Sequence, residues 1–105
     1  MKHVHYAGRS LFMHDDTAQA LIDYARVLSE HQTADAITVP AVSAEGNRVS
    51  ATLLLSEATA FIVESVAGGI TVEPDHAALE EIQRRTARLD GAQGAAPDDP
   101  WPLEL

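Results

Sequence analysis

From Lys2 to Met13 apolar and polar side chains alternate with a period of two. Val4 and Tyr6 interleave with His3 and His5, and Ser10-Leu11-Phe12-Met13 returns, which predicts a β-hairpin. Its turn is either the two residues Ala7-Gly8 or the three residues Ala7-Gly8-Arg9, with Gly8 suited to a positive φ. At Asp16 the period changes to that of a helix. Asp16 is placed to cap the first turn, with Gln19 three residues on as a capping-box partner. Ala18, Leu21, Ile22, Ala25 and Leu28 then form an apolar stripe ending near His31-Gln32.

The alternation resumes in a second pair of strands. Ala36–Val42 carries Ile37 and Val39 on one face, and Pro40, lacking a donor, predicts a sheet edge. After the turn-rich Ser43–Asn47, the run Arg48–Leu55 points Val49, Ala51, Leu53 and Leu55 to one side, while Leu54 breaks the pattern on the polar side. A break at Ser56-Glu57-Ala58 leads to a further strand over Thr59–Val66. Gly68-Gly69 allows a reversal into Ile70-Thr71-Val72. Pro74 and Asp75 open a second helix bearing Leu79, Ile82 and Leu89, with Glu80–Arg84 and Glu81–Arg85 as i,i+4 pairs and Asp90-Gly91 as its end.

The order ββ-α-ββ-β(β)-α predicts an α+β fold: an antiparallel sheet of five to six short strands with two helices on one face. Residues 1–90 form one domain on this reading. Residues 91–105, DGAQGAAPDDPWPLEL from Asp90 onward, are expected to be an acidic Pro/Gly/Ala-rich tail that is mobile or docked on a partner. Its Trp101 and Leu103 need cover from water. They fold back over the sheet near Leu54, dock as an extended peptide on another chain, or make no contact.

Composition narrows the function. Sixteen acidic against seven basic residues give a net charge of −9, which opposes nucleic-acid binding. The absence of cysteine removes disulfide, thiol and iron–sulfur chemistry. No apolar run approaches the ~20 residues of a membrane span, and the opening MKHVHYAGRS has no signal-like apolar region, so a cytoplasmic location is expected. Alanine supplies 18 of the apolar residues. The core is therefore thin, which makes self-association an expectation.

Histidine is the one residue type with candidate chemistry. His3 and His5 share a strand face, and a two-residue turn would bring His14 to that face as a third metal ligand; a three-residue turn would send it away. Surface histidines without a ligand are the commoner outcome of such a pattern. Asp15-Asp16 reads as a helix start rather than an acid–base pair. No serine sits in a nucleophile elbow, so no catalytic residue and no cofactor is assigned.

The segments His5-Tyr6-Ala7-Gly8-Arg9-Ser10, Ala18–Ala25 and Ser50–Leu55 resemble small acidic proteins of high-GC Gram-positive bacteria over residues 3–89. The resemblance implies a cytoplasmic α+β protein and carries over no functional residue. Two readings follow. The first is a non-catalytic protein-interaction domain, self-associating through an edge strand or the tail, with Leu54, Trp101 and Leu103 as contact candidates. The second is a small-molecule or metal-binding module, an enzyme or not, with its site between the first hairpin and the Asp16 helix, using His3, His5 and His14 and a cleft that gathers Arg9 or Tyr24.

Overall fold

The computed structural model describes residues 1–58, 60–67 and 72–95, the last four as helix backbone. Its elements are β1 (Lys2–Tyr6), β2 (Arg9–Met13), α1 (Asp15–Glu30), β3 (Asp35–Ser43), β4 (Arg48–Leu55), β5 (Phe61–Ser65) and α2 (His76–Ala95). The strands form one antiparallel sheet in the order β4-β3-β2-β1-β5. The α+β class and the element order are those expected from the hydrophobic pattern. The second strand of the β(β) pair, with its Gly68-Gly69 turn, falls largely outside the described residues, and Val72 is buried without being in a strand.

The first hairpin turns in two residues. Tyr6 pairs with Arg9, and Ala7 (φ 52°) and Gly8 (φ 78°) both take positive φ, as a type I′ turn requires to match the twist of the strands. This register puts His3 opposite Phe12 and His5 opposite Ser10 on one face, with Val4, Leu11 and Met13 on the other.

β3 corrects the expectation drawn from Pro40. It is the second strand of the sheet, and the edges are β4 and β5. Proline is tolerated because the ladder to β2 holds only Leu11↔Ser43 and Phe12↔Val42, so the strand passes Pro40 without a partner on that side.

One face of the sheet carries the core. Val4, Met13, Ile37, Val39, Leu53 and Leu55 pack against Ala18, Ala20, Leu21, Tyr24 and Leu28 of α1 and Ile82 of α2. Because α1 meets both the sheet and α2, its buried surface is wider than the stripe read from the sequence. Tyr24 and Val27 are inside and Ile22 is at the rim.

The helix ends also differ in detail from the sequence reading. α1 starts one residue early: the His14 ring, not Asp16, is the cap, its Nδ1 accepting from the Asp16 N–H at 3.0 Å. Asp15 pairs with the amino-terminal ammonium at 2.6 Å, and that hydrogen bond chiefly holds its carboxyl below the usual range. Gln19 donates to Asp23 instead of closing a capping box. At the other end Thr33 N–H reaches Leu28 O (3.0 Å) and Gln32 N–H reaches Ser29 O (3.1 Å), a Schellman motif with Gln32 at φ 54°. Asp75 caps α2 as expected, its Oδ1 accepting from Ala77 and Ala78 N–H. The helix runs past Asp90-Gly91 to Ala95, through two glycines that cost roughly 1 kcal/mol each. The expected tail thus begins after five more helical residues.

Candidate metal centre

The sheet face away from the helices holds the strongest concentration of chemistry. β1 sits between β2 and β5, so its outward side chains have neighbours on both sides. His3 faces Glu64 across the β1–β5 ladder, and His5 faces Ile62. Glu64 Oε1 lies 3.0 Å from His5 Nε2 and 3.6 Å from His3 Nδ1. One ligand atom from each of these residues falls within 4.8 Å of the others. In a tetrahedral site with metal–nitrogen bonds near 2.0–2.1 Å, ligand atoms stand about 3.3 Å apart, so small rotamer adjustments would close this triangle on an ion.

The supporting contacts come from β2. Ser10 Oγ lies 3.4 Å from His5 Nδ1, which leaves Nε2 directed at Glu64. The His3 ring stacks on Phe12 with centroids 4.6 Å apart and planes 13° from parallel, and it meets His5 at 4.1 Å. A ligating imidazole is normally held in this way through its second nitrogen or its ring face. The donor set, two imidazoles and one carboxylate, suits Zn²⁺ and its neighbours and leaves coordination positions open.

The third ligand expected from the sequence is not there. The two-residue turn is present, yet His14 lies beyond the end of β2 and its ring caps α1. Glu64 takes the place proposed for it. Only a cross-strand register spanning 61 positions brings it to His3. The signal available in sequence was the alternation that puts Ile62 and Glu64 on one side of β5.

The cleft imagined around His3, His5, Arg9 and Tyr24 does not form. Arg9 lines a groove beside β4, and Tyr24 is buried under the sheet. There its hydroxyl donates to Asp35 Oδ2 at 2.5 Å, and Arg85 Nη1 donates to the same oxygen at 2.7 Å. Arg85 also pairs with Glu81, which in turn meets Arg84. The Tyr24 bond, followed by Arg85, holds the Asp35 carboxyl below its ordinary range, while burial and then Asp35 push the Tyr24 phenol up to about 12. The Tyr24, Asp35, Arg85 and Glu81 side chains are engaged with one another, and the cluster fastens α1 and α2 to β3. Of the pair Asp15-Asp16, the Asp15 carboxylate meets the amino-terminal ammonium and Asp16 Oδ2 lies 3.9 Å from His14 Nδ1.

Of the contact candidates, Leu54 exposes 56% of its surface on the outer side of β4. Its backbone is bridged by the Tyr6 hydroxyl, which donates to Leu54 O at 2.6 Å and accepts from Leu54 N–H at 3.2 Å. Trp101 and Leu103 lie outside the described residues. Among those residues no helix is long and apolar enough to cross a membrane. Comparison of the chain with protein-family models, with curated proteins and with solved structures returns no match.

Proposed function

We propose that this protein binds a divalent transition-metal ion of the Zn²⁺ class through His3, His5 and Glu64. The observation that carries the reading is the approach of one ligand atom from each of the three residues to within 4.8 Å of the others. The Ser10 hydroxyl beside His5 and the Phe12 ring under His3 support it, because they reduce the rotamer freedom that ligation would otherwise have to remove. Coordination is by three side chains on the outer face of the sheet, so a bound ion would keep one or more positions for water or an external ligand.

Calorimetric titration with Zn²⁺ tests the proposal. One ion per chain should bind with a dissociation constant at or below ~10 µM, about 7 kcal/mol. His5→Ala and Glu64→Gln should each weaken it at least ~10-fold, as loss of one of three ligands demands. His14→Ala should leave the affinity unchanged. Absence of binding by the unmodified chain in that range, or binding indifferent to His5→Ala and Glu64→Gln, refutes the assignment.

A further inference from the structure

A second feature, on the opposite face and the other edge of the sheet, concerns assembly and is independent of the metal centre. Between the first hairpin and β4 runs a groove of about 340 Å³, lined by Tyr6, Arg9, Leu11, Val49, Ala51 and Leu53. β4 is an edge strand, and Leu54 turns its N–H and C=O outward to Tyr6. Backbone direction alternates along a strand, so Ser50 and Thr52 turn theirs outward as well. Among the described residues, no hydrogen bond outside the sheet ladders reaches those two backbones. The Tyr6 hydroxyl closes the edge at Leu54, which leaves the five residues Val49–Leu53 open to another strand.

The chain contains a segment with the matching pattern. In Pro100-Trp101-Pro102-Leu103-Glu104-Leu105, Trp101, Leu103 and Leu105 alternate with Pro100, Pro102 and Glu104. Added parallel to β4, this segment would place Trp101, Leu103 and Leu105 opposite Val49, Ala51 and Leu53, facing the groove. In a parallel pair the residues flanking each directly opposed position make the hydrogen bonds. The backbones of Trp101, Leu103 and Leu105 would therefore bond Ser50 and Thr52, four bonds in all. Pro100 and Pro102 would turn their donor-less nitrogens to solvent, where they cost no bond and block any further strand. Antiparallel addition with the same residues inward would aim the prolines at β4 instead.

Charge selects the same direction. Asp98 and Asp99 precede Trp101, so they would fall at the start of β4, beside Arg48 and Arg9. Neither arginine's side chain makes a hydrogen bond or ion pair among the described residues. Reach decides whose segment it is. The chain passes from Val72-Glu73, near Val49, through α2, which packs on β3, to Arg85, which touches Asp35 opposite Leu55. It then continues ten residues, about 15 Å, beyond that level. Ala95 therefore stands roughly 35 Å along the sheet from Val49, and the six steps to Trp101 cover at most ~22 Å.

We infer that residues 98–105 of a second copy dock as a parallel strand on the edge of β4, so that two chains exchange their segments reciprocally. Trp101, the single tryptophan, reports the exchange. In EDTA, to exclude metal bridging, light scattering should show a concentration-dependent dimer, with Trp101 emission blue-shifted in the dimer. Thr52→Pro deletes one edge donor without touching the β3 ladder. The pair Arg9→Glu and Arg48→Glu leaves the backbone alone. Each should raise the dimer dissociation constant at least ~10-fold, and adding Asp98→Lys and Asp99→Lys to the arginine pair should restore it to within ~3-fold. A chain that stays monomeric at high concentration overturns the inference. So does a dimer with water-exposed Trp101, a monomer with buried Trp101, or charge reversal without effect.

Discussion

Replacing Tyr24 by Phe removes one oxygen atom and leaves the ring in place. The ring is almost wholly buried, at 3% exposure, so its apolar contribution stays and the loss is confined to the bond from the hydroxyl to Asp35. A hydrogen bond to a charged acceptor contributes about 1.5–3 kcal/mol. Asp35 keeps Arg85 and the Ala36 N–H, and a third of its side chain faces solvent, so water can occupy the vacated position. That places the expected destabilisation at the low end, about 1.5 kcal/mol at pH 7. The difference must also depend on pH. Asp35 has a folded-state pKa below its unfolded value, chiefly through Tyr24. Its contribution is therefore full above about pH 4 and fades as pH falls through the folded value. Tyr24 titrates near 12 when folded and near 10 when unfolded. Between those values the native chain holds a proton the unfolded chain has lost, so the unmodified protein loses stability with rising pH through Tyr24 and the Phe variant does not. Urea unfolding followed by circular dichroism at pH 3, 7 and 10.5 measures all three regimes. A difference below ~0.3 kcal/mol at pH 7, or one that is the same at pH 3, would refute the account of the cluster.

Other perturbations follow from single residues. Ile82→Ala empties a fully buried position where α2 meets the core and should cost about 2–4 kcal/mol in the same urea assay. Gln32→Gly relieves a positive φ at the end of α1 and should stabilise by about 0.5–1 kcal/mol, seen as a higher melting temperature. Tyr6→Phe leaves the Leu54 N–H and C=O without their bridging hydroxyl and should cost about 1 kcal/mol, with faster amide exchange at Leu54 as its signature. His14→Ala removes the cap of α1 and should cost about 1 kcal/mol, whereas His14→Asp should restore it.

The parts of the fold legible in the sequence are those fixed by local period and turn chemistry. The first hairpin, α1, the β3–β4 pair and the Asp75 cap are of this kind, each depending on neighbours within twenty residues. What the sequence did not disclose are contacts whose partners lie far along the chain. Glu64 joins His3 only through the β1–β5 register, and Arg85 joins Asp35 only because α2 lies against β3. His14 shows a subtler limit. The two-residue turn that its reading needed is present, but the strand ends at Met13 and the residue after it turns to serve the helix. Pro40 failed as an edge marker for a related reason, since a strand can be interior in order while one stretch of it lacks a neighbour. Ile22 and Tyr24 exchanged their expected places because α2 covers a flank of α1 that a single stripe cannot anticipate.

The position of β1 between β2 and β5 has a consequence for how the chain is made. Its hairpin with β2 is complete once Met13 has been synthesised, but Phe61–Ser65, which pairs with its other side, comes some fifty residues later. At ordinary rates of translation the first hairpin waits about 3 to 11 s with that side uncovered. The pairings that finish the sheet are also its most distant in sequence, so they should set the refolding rate. Until β5 arrives, the imidazoles of His3 and His5 stand on an edge strand without Glu64, and the proposed ion site comes into being only with that strand.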